Sequence, residues 1–382
     1  MKVVYITYPF FLDFSIEYIK ELSKRVELHV YVLTSEDKLS GTIFKIDGLP
    51  EREKVSHPFE EIKGMLKDAN YFESYLKDCK RFDLVFFPKK RVGMKGLQKN
   101  RQFAKLINGI RPDVVHFDDI SILLFAMPFF LKVKNWVIDV HDPKPHSGEA
   151  DWRRKMIRTL MYPRAKKFLT YSAHSKRTFE SIYGISKPVN NLSLVPYTFY
   201  DRYKELATEQ LIEGEYLLFI GRVSAYKGVS DLLEAFKIIS KEYPKIKLVI
   251  AGKWKSNFSV EEDVISDQVI IIDRFLENEE VAGLIRKSKG VICPYKDATQ
   301  SGVVMTALGL RKEIIVSNVG GLPETIINGN GIVYDRNKED GLLKAIKQLL
   351  DRKKSGEKIT LSPEILPPYN VDKLIKFYQE TY

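Results

Sequence analysis

Cysteine is scarce: Cys79 and Cys293 are the only two in 382 residues. That excludes a disulfide framework and a Cys-rich metal centre, and it makes a reducing cytoplasm the default compartment. Long apolar runs are also missing. The best candidates, Ser121–Leu131 and Met1–Leu12, are interrupted by Pro128 and Pro9. Neither approaches the roughly 18 residues of a membrane-spanning helix. Met1–Leu12 has no small-residue cleavage site and reads as a first strand rather than a secretion signal. No short-period repeat occurs, which excludes a solenoid. What is present is an ordinary globular mixture, 44% hydrophobic and 29% charged, which excludes collagen-like, mucin-like and wholly disordered chains. At roughly 100–200 residues per domain, the length implies two domains.

Charge is distributed unevenly. Residues 1–200 carry 34 Lys and Arg against 23 Asp and Glu, whereas residues 201–382 carry 27 of each, so the whole net charge of +11 lies in the first half. Two units with different partners follow. Lys89–Arg111 holds eight basic residues and Trp152–Arg177 nine, neither with an acid. In the second stretch Trp152, Met156, Ile157, Leu160, Met161, Tyr162 and Phe168 are interleaved. Basic residues alternating with large apolar ones suit an anionic membrane surface; a solvated basic face is the plainer alternative. A nucleic-acid partner is not expected, because no aromatic RNA-binding strand, zinc module or recognition helix accompanies the charge.

Strand and helix signals alternate along both halves. Val3–Thr7, Leu28–Leu33, Asp83–Phe87, Val114–Phe117 and Trp136–Val140 read as short buried strands, with Phe14–Lys24 at helical spacing between the first two. After a Pro- and Tyr-containing break at Val195–Glu205 the pattern restarts. Tyr216–Ile220, Lys247–Ala251, Val269–Ile272, Gly290–Cys293 and Glu313–Ser317 read as strands; Val229–Glu242, Glu339–Leu350 and Val371–Tyr382 read as helices. The sequence therefore predicts two doubly wound α/β domains, 1–200 and 205–368, joined by a short hinge. Ligands in such sheets bind beyond the carboxyl ends of the strands, and the cleft between facing domains is the default site.

Three strand-to-helix loops in the second half carry chemistry. In Phe219-Ile220-Gly221-Arg222-Val223-Ser224-Ala225-Tyr226-Lys227-Gly228, the strand ends at Gly221 and two cations precede a helix start, a combination suited to a diphosphate. A solvated loop with two surface cations is the bland alternative. In Pro294-Tyr295-Lys296-Asp297-Ala298-Thr299-Gln300-Ser301-Gly302-Val303-Val304-Met305-Thr306-Ala307, Ser301, Gly302 and Val303 offer consecutive amides to an anion, or Ser301 simply caps a helix. Val319-Gly320-Gly321-Leu322-Pro323-Glu324 is a third tight loop, with Pro323 suited to a first helical position.

These three loops, in this order and spacing, resemble glycosyltransferase family 4, and the likeness covers most of residues 210–350. In the first half His141-Asp142-Pro143-Lys144-Pro145-His146-Ser147-Gly148-Glu149 resembles a segment from a branch of that family; Tyr171-Ser172-Ala173 and Leu194-Val195-Pro196 also fit. The resemblance implies a GT-B fold of two Rossmann-like domains facing across a cleft, and retaining transfer of a hexose-type sugar from a nucleotide-diphosphate donor. It implies that Arg222 and Lys227 neutralise the diphosphate, and that Gly221, Thr299, Ser301, Gly302 and Val303 meet the donor. His141 would reach the sugar or the acceptor, with Asp13, Asp142, His146 and Glu149 on the acceptor side. The last helix, 371–382, would return to the first domain. The acceptor would be a glycan or a polyprenyl-diphosphate-linked glycan at the inner face of the membrane, as in surface polysaccharide assembly.

Two glutamates that the family commonly carries fall here at Ala298 and Thr306, with Asp297 beside the first and Thr306 at the ribose position. Asp118-Asp119 and Glu261-Glu262-Asp263 lack Asp-x-Asp spacing, so no metal and no resident cofactor are expected; cations and amides would stabilise the leaving phosphate. The alternative is a catalytically inactive GT-B subunit that serves as partner to another transferase.

Overall fold

The computed structural model describes residues 1–35, 41–48, 51, 53–88, 92–144, 152–184, 186–204, 212–256, 258–260, 266–327, 329–355 and 360–380. The chain divides into two compact units, Met1–Leu192 with Pro367–Tyr382, and Ser193–Leu366.

The first unit is built on eight strands: β1 Lys2–Thr7, β2 Glu27–Ser35, β3 His57–Pro58, β4 Arg81–Phe87, β5 Val114–Phe117, β6 Trp136–Asp139, β7 Lys167–Thr170 and β8 Val189–Asn191. They lie in the order β3-β4-β2-β1-β5-β6-β7-β8. Every pairing is parallel except the short edge pair β3/β4, where Pro58 is tolerated because an edge strand has a side with no ladder to feed. β1 and β2 are buried along nearly their whole length. That burial on both faces is why their sequences run apolar without alternating. Val4, Ile6, Tyr31 and Val115 of the sheet pack with Phe103 and Ile107 of the helix Met94–Ile110 and with Ile157 and Met161 of the helix Trp152–Met161 in one core cluster.

The second unit holds β9 Tyr216–Ile220, β10 Lys247–Ala251, β11 Val269–Ile272, β12 Gly290–Cys293, β13 Ile314–Ser317 and β14 Gly331–Tyr334, all parallel, in the order β11-β10-β9-β12-β13-β14. Both units are doubly wound α/β sheets.

The structure amends several expectations. The described part of the stretch Val195–Glu205 falls inside the second unit, whose first residue is Ser193. Tyr197 N–H donates to the Met305 carbonyl (3.1 Å), and Arg286 pairs with Asp201 (3.1 Å). Polar and aromatic side chains here have partners in the second unit, so the stretch belongs to it. Four strands lie outside the sequence reading: β3 is a two-residue edge strand containing a proline, β7 starts with Lys167 inside the basic run, β8 contains two asparagines, and β14 follows the turn-like Asn-Gly-Asn. The last helix spans Pro367–Gln379 and starts earlier than expected, because Pro367 and Pro368 fit a first turn that needs no amide donors.

The basic run at 152–177 is also not a uniform surface. Arg158 and Lys167 are buried, as are Ile157, Met161, Tyr162 and Phe168, while Trp152 is 68% exposed. The alternation mostly records a helix turning its apolar stripe to the core. Among the described residues no helix is long and apolar enough to cross a membrane.

Candidate active site

In each sheet the strand order turns back at one place, between β1 and β5 and between β9 and β12. Crevices beyond the carboxyl ends of strands at such points take ligands, and the predicted chemistry collects at these two places.

In the second unit, Gly221 directly follows β9, and its φ is +116°. Its amide donates to the Ala251 carbonyl (2.9 Å), and Val223 and Lys255 continue the pairing with the loop after β10. Arg222 is exposed. Lys227 closes the short turn Ala225–Lys227, its ammonium 3.5 Å from the centre of the Tyr295 ring. Burial, together with the like charge of Arg222, pulls the Lys227 pKa down to about 8. Among the described residues no carboxylate pairs with either cation. A desolvated ammonium held by ring faces, here Tyr295 and Tyr226, is costly unless an anion joins it.

Beyond β12, Ser301 caps the helix Gly302–Gly309 and accepts from Val304 N–H (3.5 Å); Tyr295 OH lies 3.3 Å from the same hydroxyl. Gly302 and Val303 then begin the helix with amides outside its own ladder. The two loops are held together by backbone. A Cβ on Gly228, whose φ is +71°, would stand 1.9 Å from the Pro294 carbonyl oxygen; one on Gly320, whose φ is +55°, would stand 1.5 Å from that of Ala298. Gly221, Arg222, Lys227, Ser301, Gly302 and Val303 thus line the ends of two adjacent strands, β9 and β12. Thr299 is half-buried and Asp297 exposed. Thr306 is buried and spends its hydroxyl on the Gly302 carbonyl (2.9 Å). That bond uses its proton within its own helix and leaves the oxygen as an acceptor.

In the first unit, His141 follows β6 and its Nε2 lies 2.7 Å from Asp118 Oδ1. Asp118 Oδ2 accepts from Thr7 (2.6 Å) and Ser15 (2.7 Å). Rings enclose the imidazole: Phe11 stacks at 4.1 Å and Tyr171 at 5.2 Å, with Phe14 edge-on. Burial opposes a charged ring here. The hydrogen bond and charge of Asp118, with Asp119 and Asp139 behind it, outweigh that and hold the His141 pKa up at about 9. Asp13 accepts from Phe14 N–H (2.9 Å), and burial pushes its carboxyl up to about 7. Asp142 offers its carbonyl to Arg158 (2.6 Å), which also reaches the Pro143 carbonyl (3.1 Å) and so clamps the loop carrying His141. His146 and Glu149 lie outside the described residues.

A second buried chain lies behind this histidine. Tyr171 OH donates to Asp139, His116 Nε2 lies 2.6 Å from the other Asp139 oxygen, and Tyr378 of the last helix meets His116 Nδ1. Asp118, Asp139 and His141 bring ligand atoms within 4.8 Å of one another, the nearest approach to a metal set among the described residues. Their atoms are engaged in the hydrogen bonds just described, so the trio acts as a charge network around His141. Asp118, Asp139 and Tyr171 escaped assignment as site residues. The available signal was an acid directly after, or at the end of, an apolar strand, as in Val114–Asp118 and Trp136–Asp139.

Two Rossmann-like units, one with two cations that no carboxylate pairs among the described residues, are consistent with a GT-B glycosyltransferase. Family models agree: Glycosyltransferase Family 4 matches residues 15–196, and Glycosyl transferases group 1 matches residues 205–360. The chain belongs to glycosyltransferase family 4. It is 27% identical over 139 residues to glycogen synthase from Mycobacterium tuberculosis, covering 35% of this chain and 34% of that protein. It is 23% identical over 214 residues to alpha-D-kanosaminyltransferase from Streptomyces kanamyceticus, covering 50% and 55%. The match thus spans from about a third to just over half the length of these relatives. Among solved structures, Anabaena HepE in complex with UDP and glucose aligns with a TM-score of 0.61 at 12% identity, covering 99% of this chain and 95% of that one.

Proposed function

We propose that this chain is a retaining glycosyltransferase that moves a hexose-type sugar from a nucleotide-diphosphate donor to a glycan or lipid-linked glycan acceptor. The carrying observation is the pair Arg222 and Lys227, two cations without a carboxylate partner among the described residues, beside the amides that open the helix Gly302–Gly309. A diphosphate supplies the missing negative charge. As the glycosidic bond to the β-phosphate breaks, charge grows on the leaving oxygen, and fixed cations and amides stabilise it without reorganising. The departing phosphate takes the proton of the attacking hydroxyl on the same face, so the anomeric configuration is kept. No step draws on a metal. The structure of HepE holds UDP, which supports a nucleotide of this kind here. His141, charged and stacked between rings, presents a donor to sugar or acceptor oxygens from the first unit.

Turnover of UDP-glucose, GDP- and ADP-sugars, chosen by thermal shift against each, tests the assignment. Arg222→Ala and Lys227→Ala are each expected to lower kcat/KM about 10²–10³-fold, by analogy with loss of an oxyanion-hole donor. Near-normal turnover in both would remove the assignment.

One observation favours the second reading, an inactive partner subunit. Neither buried Ala298 nor Thr306, whose hydroxyl faces its own helix, supplies a carboxylate to the donor. Slow hydrolysis of a nucleotide sugar by the isolated chain decides against that reading.

A further inference from the structure

The helix Met94–Ile110 carries Lys95, Lys99, Arg101 and Lys105 and no acidic residue. Phe103, Ala104 and Ile107 turn to the core. A second stripe, Lys95, Gln98, Lys99 and Gln102, repeats at the spacing of a single helix face. That face would ordinarily be either apolar and packed or fully solvated. Instead it lines an open hollow of about 550 Å³ bounded by Phe86 and Pro88 at the carboxyl end of β4, with Glu53 also on the wall. The volume lies within the roughly 300–1,000 Å³ of ordinary ligand pockets.

Lys99 is the unusual member. It is 6% exposed, and one of its donors goes to the Lys54 carbonyl. An ammonium has three donors, so two remain for the hollow. Burial pulls its pKa down to about 8, which marks a cation short of counter-charge. Lys95 adds a second cation at the rim, while the two glutamine amides and exposed Glu53 suit hydroxyl groups.

We propose that this hollow binds a phosphate-bearing sugar, the anionic part of the acceptor. The word acceptor rests on the proposed glycosyl transfer; the anion site does not. Lys99 and Lys95 take the phosphate, and Gln98, Gln102 and Glu53 take the sugar hydroxyls. The phosphate could belong to a soluble sugar phosphate or to a lipid-linked one.

The test uses the full chain carrying Arg222→Ala and Lys227→Ala, so that the donor cations no longer hold phosphate. Glucose 1-phosphate is titrated calorimetrically, and phosphatidylcholine vesicles containing polyprenyl phosphate are cosedimented in parallel. Saturable binding is expected to persist with at least one probe. Lys99→Gln weakens it about tenfold or more, the cost of a charge-assisted hydrogen bond. Lys95→Gln, at an exposed position where stability changes little, weakens it several-fold. Arg101→Gln, exposed on the same helix, leaves it unchanged. Binding of the free sugar phosphate assigns a soluble source, and binding only to doped vesicles assigns a lipid-linked one. The proposal is overturned if neither probe binds, or if binding ignores both lysine substitutions. If UDP-glucose affinity proves indifferent to Arg222→Ala while glucose 1-phosphate still requires Lys99, the donor reading fails and the anion site stands.

Discussion

Lys227 shows how much one side chain carries. Its ammonium sits over the Tyr295 ring with Arg222 nearby, and its pKa falls to about 8. The free protein therefore loses this charge as pH rises through about 8, whereas a bound diphosphate favours the charged form and raises the pKa again. Nucleotide affinity must then fall with rising pH in that window. The sign follows from linkage: binding takes up a proton wherever the free lysine is partly neutral. Titration of UDP between about pH 6.5 and 9.5 is expected to show a Kd that is flat below about pH 7 and rises toward tenfold per unit above about 8. Lys227→Arg should flatten the profile, since guanidinium stays charged throughout. A wild-type profile flat to the alkaline limit would mean that Lys227 does not contact the diphosphate.

At the scale of elements, the last helix is held by a residue from another part of the chain. Lys167, buried at the start of β7, donates to the carbonyls of Phe377, Tyr378 (3.1 Å) and Glu380 (2.7 Å), which close the helix Pro367–Gln379. Those carbonyls have no partner within the helix, and a cation there also complements its dipole. Lys167→Met keeps the aliphatic stem and removes the donors. A loss of about 1.5–3 kcal/mol in urea unfolding is expected, with faster amide exchange in 367–379 than elsewhere. Uniform exchange and unchanged stability would show that the lysine contributes nothing to holding the helix. Most strands were legible because burial on both faces leaves an apolar run bounded by polar residues, as in Tyr216–Ile220 and Lys247–Ala251. β7 was not, because its first residue is this buried lysine, and a charge count cannot distinguish a solvated cation from one bonded to carbonyls. The cations and glycines of the second unit were readable for a related reason: they fall in short loops directly after strands, where neighbours in sequence are also neighbours in space. The network behind His141 joins Thr7, Ser15, Asp118, Asp139, Tyr171 and Tyr378, residues distant in sequence, and only the strand order assembles it.

At the scale of the molecule, the basic excess must be discounted before it is given a partner. Lys99, Arg158 and Lys167 are buried and present little to a surface. What remains exposed on the first unit includes Arg153, Arg154, Lys155, Arg164, Lys166 and Arg177, with Trp152 beside them at 68% exposure. The second half of the sequence has no net charge to add. We propose that this set meets an anionic bilayer, at about 1 kcal/mol for each basic residue near the surface. Trp152 supplies the amphipathic ring suited to the headgroup layer. Replacing Arg153, Arg154 and Lys155 together by glutamine therefore removes about 3 kcal/mol, roughly a hundredfold in partitioning. Cosedimentation with phosphatidylglycerol vesicles is expected for the parent chain at low salt, and to be lost in the triple variant and at high salt. Trp152→Ala should weaken it without changing the salt dependence, because the ring contributes burial rather than charge. Equal binding to phosphatidylcholine and phosphatidylglycerol vesicles would instead identify the basic face as solvated, and an acceptor would then have to reach the protein from solution.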